Sequence, residues 1–76
     1  MPPKKSEANR ALGDAIRAIR SEQGLTQEAS AGRAGIDRSY YGALERGEFN
    51  MTVDTLVTVA IGLGVPASEI WRRAGL

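Results

Sequence analysis

A guanidinium, a hydroxyl and a methyl side chain stand close together in the segment DRSYYGALERG, at Arg38, Ser39 and Ala43. In the major groove of duplex DNA these groups have defined work. An arginine bridges guanine O6 and N7, a serine hydroxyl bonds either kind of base edge, and a methyl packs on the thymine methyl. Around them stand groups suited to phosphate. Gln27 opens the preceding helical segment, where backbone amides and a side-chain amide can grip an anion together. Tyr40 lies at the edge of the same face, Arg46 at its far end and Asn50 in the loop beyond. The chemistry is recognition by hydrogen bonding and charge; no bond is made or broken.

Such groups read DNA only if a helix is held clear of the body that supports it. The stretch QEASAGRAGIDRSYYGALER has the required pattern. Ala31 is small enough for two helices to approach, and four residues on Gly35 can take the left-handed conformation that ends the first of them. Tyr41 and Leu44, three apart, turn one stripe of the second helix inward. That is the spacing of a helix-turn-helix. Arg38 and Ser39 then occupy the N-terminal end of the outer helix, which is the end that reaches base edges.

The rest of the chain supplies further helices. Leu12, Ile16 and Ile19 recur at helical spacing within a first helix from about Glu7 to Gln23, with Gly24 closing it. Thr26 is placed to cap a second helix reaching about Ala34, and Asp37 a third reaching about Arg46 and stopping at Gly47. Thr52 caps a fourth, in which Val53, Leu56, Val57, Ala60 and Leu63 make a wide apolar face ending at Gly64. Pro66 suits the first turn of a fifth, with Glu69 near its positive end and Arg72 and Arg73 near its negative one. No strand pattern stands out. The expected fold class is all-α, a compact five-helix bundle with a helix-turn-helix. Residues 1–6 read as a flexible N-terminal tail led by MPPKK, and 7–76 as one domain that includes a C-terminal dimerisation helix. Ile70, Trp71 and Leu76 leave much apolar surface near the end of so short a chain, and a second copy packed on the fourth and fifth helices would cover it.

Composition narrows the function. The chain has 76 residues, 42% of them hydrophobic, which suffices for one modest core. It has no cysteine and no histidine, so a disulfide framework is ruled out and the commonest metal ligands are missing. The bases that remain are nine scattered carboxylates and the tail lysines Lys4 and Lys5, with no phosphate-cradling glycine loop after a strand. Catalysis, a metal, a cofactor and a small-molecule ligand are therefore not expected. No apolar run reaches membrane-spanning length, and a cytoplasmic location is expected. Net charge is only +1, but Lys4, Lys5, Arg10, Arg17, Arg20, Arg33, Arg38 and Arg46 all precede the last third. Charge at one end and apolar residues at the other suggest separate faces for double-stranded DNA and for a homodimer partner.

The residues RSEQGLTQEAS, AGIDRSYYGALERGEFNMTVDTLVTVAIGLGVP resemble the Cro and phage-repressor-like family, often called Xre-like, over about residues 10 to 73. GLTQE, the AGI turn and LERG fall in the family's order and register. DRSYYGALERGEFNMT is similar to the recognition helix of restriction-modification controller proteins, small dimeric regulators that bind operators upstream of their own and the endonuclease genes. The resemblance implies a lambda-repressor-like DNA-binding domain, DNA contacts at Arg38, Ser39 and Tyr40, and a dimer built by the last helix. It also implies an ion pair between Arg20 and Glu45 that supports the third helix. Ser30 departs from the family's usual leucine, so either packing under the second helix is thin or the hydroxyl bonds back to a carbonyl. Gly32 and Gly42 each weaken a helix by roughly 0.5–1 kcal/mol relative to alanine. Prophage-type repressors and antitoxins share these residues, and a protein-interaction module of the same fold is the rival outside DNA binding.

Overall fold

The structure, a computed structural model, describes residues 6–76. The tail expected at Met1–Lys5 lies outside the described residues, and Ser6, expected within it, instead caps the first helix: its Oγ accepts from the Asn9 amide at 3.0 Å. Five helices follow, α1 Glu7–Glu22, α2 Gln27–Ala34, α3 Arg38–Glu45, α4 Val53–Leu63 and α5 Ala67–Arg73. The fold is all-α. Thr26, Asp37 and Thr52 accept from the first-turn amides of α2, α3 and α4. Pro66 stands just outside α5 as its cap, and Arg46 just outside α3.

The core draws on every helix: Leu12, Ile16 and Ile19 from α1, Ala31 from α2, Tyr41 and Leu44 from α3, Leu56, Val59, Ala60 and Leu63 from α4, and Ile70 from α5. Ile70 has no exposed surface. This corrects its expected place at a dimer surface; seven residues form α5, and its one buried side chain anchors it to its own bundle. The apolar face expected on α4 divides in two. Leu56, Val59, Ala60 and Leu63 face the core, whereas Val53, Val57 and Ile61, spaced by four, face solvent. Among the described residues no single helix is long and apolar enough to cross a membrane.

A left-handed turn and a close approach set the helix-turn-helix. Gly35 takes φ 71°, and the Ile36 amide donates to the Ala31 carbonyl at 2.9 Å as the chain leaves α2. Gly13 lets α1 run against the end of α3: a Cβ there would lie 2.5 Å from the Glu45 carbonyl oxygen and 2.6 Å from that of Leu44. At the departure from the family pattern, Ser30 makes no bond back to a carbonyl. Its hydroxyl is buried beside that of Tyr41. Burial pushes the Tyr41 phenol up to about 12, with Ser30 pulling the other way.

One ion pair joins three helices. Arg20 Nε lies 2.6 Å from Glu45 Oε2 and its Nη2 3.1 Å from Oε1. Arg20 Nη1 donates to the Leu25 carbonyl at 2.8 Å, and Gln27 Nε2 to Glu45 Oε1 at 2.9 Å. The two charged side chains are 13% and 2% exposed. The Glu45 carboxylate raises the Arg20 pKa above its ordinary value, outweighing the opposing effect of burial.

These contacts set opposite expectations for two helical glycines. Gly13→Ala should destabilise by about 1–3 kcal/mol, since the new methyl meets backbone that cannot yield cheaply. Gly32→Ala, where nothing lies within 4 Å of the added carbon, should stabilise by about 0.5–1 kcal/mol. Urea denaturation of both variants checks the signs. Arg20→Ala and Glu45→Ala should each cost roughly 3–5 kcal/mol by leaving a buried charge alone. The double variant should cost far less than their sum; additive losses in the cycle would show that the two charges do not support each other.

Candidate nucleic-acid interface

The outer turn of α3 begins with a cap that fixes its backbone. Asp37 Oδ2 accepts from the amides of Ser39 at 3.0 Å and Tyr40 at 3.3 Å. That leaves the side chains of Arg38, Ser39 and Tyr40 projecting from a held turn, all three exposed. Arg38 makes no ion pair within the described residues, unlike Arg20, Arg46, Arg72 and Arg73. A fixed turn carrying an unengaged guanidinium and a hydroxyl can accept a base edge without first breaking an internal bond.

Ala43 does not join them. It is only 5% exposed, which corrects its expected contact with DNA. Helical spacing does place it beside the outer face, but the chain doubles back there. Gly47 takes φ 74° and its amide donates to the Leu44 carbonyl, while the Glu48 amide donates to the Ala43 carbonyl at 3.0 Å. This return closes the helix in the manner of a Schellman motif, engaging the Ala43 carbonyl.

Gln27 and Arg46 meet over Gly42. A Cβ on Gly42 would lie 3.2 Å from Arg46 Nη1 and 3.3 Å from Gln27 Oε1, so the glycine leaves room for both side chains. The side-chain amide of Gln27, expected to grip phosphate, donates inward to Glu45 instead. The second hydrogen of that amide nitrogen and the backbone at the start of α2, whose first amides have no partner inside a helix, remain to hold an anion. Arg46 is exposed but bidentate on Glu48, at 2.8 and 3.3 Å, and that carboxylate raises its pKa. Asn50 is exposed, with its carbonyl oxygen accepting from Asn9 Nδ2 at 2.8 Å. It retains an amide nitrogen to donate.

Two groups escaped the sequence reading. Phe49 is half exposed in the turn after α3, and its ring centroid lies 5.3 Å from that of Tyr40. An aromatic in GEFN, with no helical face to join, was the available signal. The solvent stripe of α4 is the second. Val53 is 77% and Ile61 71% exposed, with Val57, Trp71 and Leu76 also exposed. The regular spacing of 53, 57 and 61 was visible, but it was merged with the stripe that faces the core. Among the described residues no three acidic, cysteine or histidine side chains gather to hold a metal ion.

Comparison with known proteins agrees with the fold. A helix-turn-helix family model matches residues 16–70. The chain is 42% identical over 59 residues to the immunity repressor protein of Bacillus phage phi105, covering 78% of this chain and 41% of that one. It is 35% identical over 65 residues to the control protein C.SmaI of Serratia marcescens, covering 86% of this chain and 77% of the other. The restriction-modification controller protein C.Esp1396I, solved as a tetramer with its natural 35 base-pair operator, superposes with a TM-score of 0.82 at 30% identity, covering 88% of each chain. The motif order in the sequence, the α2–α3 turn at Gly35 and these matches lead to one conclusion: the chain belongs to the Xre-like helix-turn-helix family.

Proposed function

We propose that the protein is a sequence-specific DNA-binding transcriptional regulator, acting in the cytoplasm as a dimer on a palindromic operator and catalysing no reaction. The observation that carries this reading is the outer turn of α3: Arg38, Ser39 and Tyr40 stand exposed on a backbone fixed by Asp37, within the family's fold. Arg38 and Ser39 read bases. Tyr40, Arg46, Asn50 and the amides opening α2 hold phosphates and set the register. Arg46 must exchange Glu48 for phosphate to do so.

A single copy would present one such turn. The exposed stripe of Val53, Val57 and Ile61, with Trp71 and Leu76 on and after α5, supports pairing of two copies. A symmetric dimer then offers two α3 helices to half-sites about one turn (~34 Å) apart. Among regulators of this family, a restriction-modification controller is favoured over a phage-type repressor. Control protein C.SmaI among the sequence relatives and C.Esp1396I among the solved structures support that reading.

Selection of bound sequences from random duplex DNA should return a palindrome with guanine at one position in each half-site. Arg38→Ala should lose that preference, with a loss of about 1–3 kcal/mol in affinity. Unchanged base preference would remove Arg38 from the reading face. Affinity for the selected site should fall steeply and log-linearly with added salt; a flat response would favour a protein-interaction module. Ile61→Glu should give monomers by sedimentation equilibrium, with operator affinity reduced as pairing is lost. A variant that remained dimeric would place the dimer contact elsewhere.

A further inference from the structure

The groups assigned so far to base readout are polar. Ala43, the small apolar side chain expected to meet a thymine methyl, is buried. Apolar surface nevertheless remains at this face. Phe49 lies outside the hydrophobic core, and half of its surface is exposed. It is not free to withdraw. On one side the Glu48 amide is bonded to the Ala43 carbonyl, and on the other Asn9 holds both Asn50 and the Met51 amide, each at 2.8 Å. A pinned loop thus keeps a large apolar ring in water, at a standing hydrophobic cost.

The same loop sets Phe49 against Tyr40, with ring centroids 5.3 Å apart and planes tilted by 53°. This is within the range in which aromatic pairs attract. Tyr40 is two residues from Arg38 on the exposed turn, so the pair is continuous with the reading face. Its neighbours along the chain are polar: Arg38 and Ser39 on α3, Arg46 and Glu48 at its exit. Two rings so bordered are far smaller than the roughly 800 Å² a side that a stable protein contact buries. They suit a group of methyl size.

We propose that the Tyr40–Phe49 ring pair reads the C5-methyl group of a thymine in the major groove, Phe49 supplying the apolar contact and holding the Tyr40 ring in place. The proposal rests on the DNA-binding reading above. Contact with the methyl takes water from both partners, and the Tyr40 hydroxyl stays available to a phosphate. Readout by Arg38 of a guanine and by the rings of a thymine would together specify two kinds of base pair from one turn of helix.

The test uses the full chain and a duplex recovered by selection. Each thymine is replaced in turn by deoxyuridine, which removes the methyl and nothing else, and affinity is read by fluorescence anisotropy. For the unaltered protein one position in each half-site should weaken binding by about three- to fivefold, the worth of one buried methyl. Phe49→Ala should bind thymine and deoxyuridine equally there, while keeping its guanine preference and its salt-dependent binding to unrelated DNA. Phe49→Leu, which restores an apolar side chain, should recover part of the difference. Indifference of the unaltered protein to every methyl would overturn the proposal. So would a methyl effect of undiminished size in both Phe49 variants, which would assign the contact to other residues. If selection recovers no sequence at all, the DNA-binding reading fails with it; a clear operator without a methyl effect sinks only the ring pair.

Discussion

A carboxylate stripped of water must find its donors inside the protein, and Glu45 finds them on two other helices. Arg20 of α1 and Gln27 of α2 converge on its two oxygens, while Arg20 also holds the Leu25 carbonyl in the turn between those helices. The direction of α3 therefore does not rest on apolar packing alone, which tolerates sliding. It is fixed by a charged fork of defined geometry near its C-terminal end. Gly13 tightens the same junction by letting the α1 backbone touch the carbonyls of Leu44 and Glu45. With its inner end locked, the helix presents its opposite end, Arg38 to Tyr40, at a constant angle. Precision at the proposed DNA face is in this sense a property of a buried pair remote from it.

Local signals in the sequence were strong where chemistry is local. Thr26, Asp37 and Thr52 cap because their oxygens reach amides two or three residues on, and that geometry needs no knowledge of the rest of the chain. Core positions such as Leu12, Ile16, Tyr41 and Leu44 follow from helical periodicity for the same reason. The misplacements all involve something from outside the helix. Ala43 lies at an outer register, yet in the folded chain it is buried, and the chain turning back at Gly47 bonds its carbonyl. Ile70 reads as a bulky residue near the end of a short chain, and only the docking of α5 on α1 and α4 shows that its own bundle consumes it. On α4, apolar residues at 53, 56, 57, 59, 60, 61 and 63 hide two stripes within one. Periodicity shows that a helix is apolar all round, but not which side has a partner within the same chain.

Those two stripes have different consequences. A core in a chain of 76 residues is small, the buried Ser30 hydroxyl finds no hydrogen-bond partner among the described residues, and the glycine at position 32 weakens α2. Leaving Val53, Val57 and Ile61 in water is unfavourable for a lone copy, so covering them stabilises the fold as well as the pair. Folding, pairing and operator occupancy are then linked by mass action: whatever binds the paired state withdraws it from the others. No sensing domain is needed for a response that rises with the amount of protein.

The electrostatics favour the same behaviour. A net charge of +1 gives little general attraction to a polyanion, so affinity depends on where single arginines stand. Arg38 is unengaged among the described residues, whereas Arg46 is held by Glu48, a carboxylate bordering the same face. Replacing that carboxylate by a phosphate exchanges one charge-assisted bond for another and gains little on its own. On the proposed reading it does exact a geometric condition, because the phosphate must arrive where Glu48 now sits while Arg38 faces its base. Unrelated DNA can satisfy the first requirement or the second by chance. Two copies held at a fixed separation on a matching palindrome satisfy both at each end, and discrimination then grows with the product of two half-site fits rather than with charge.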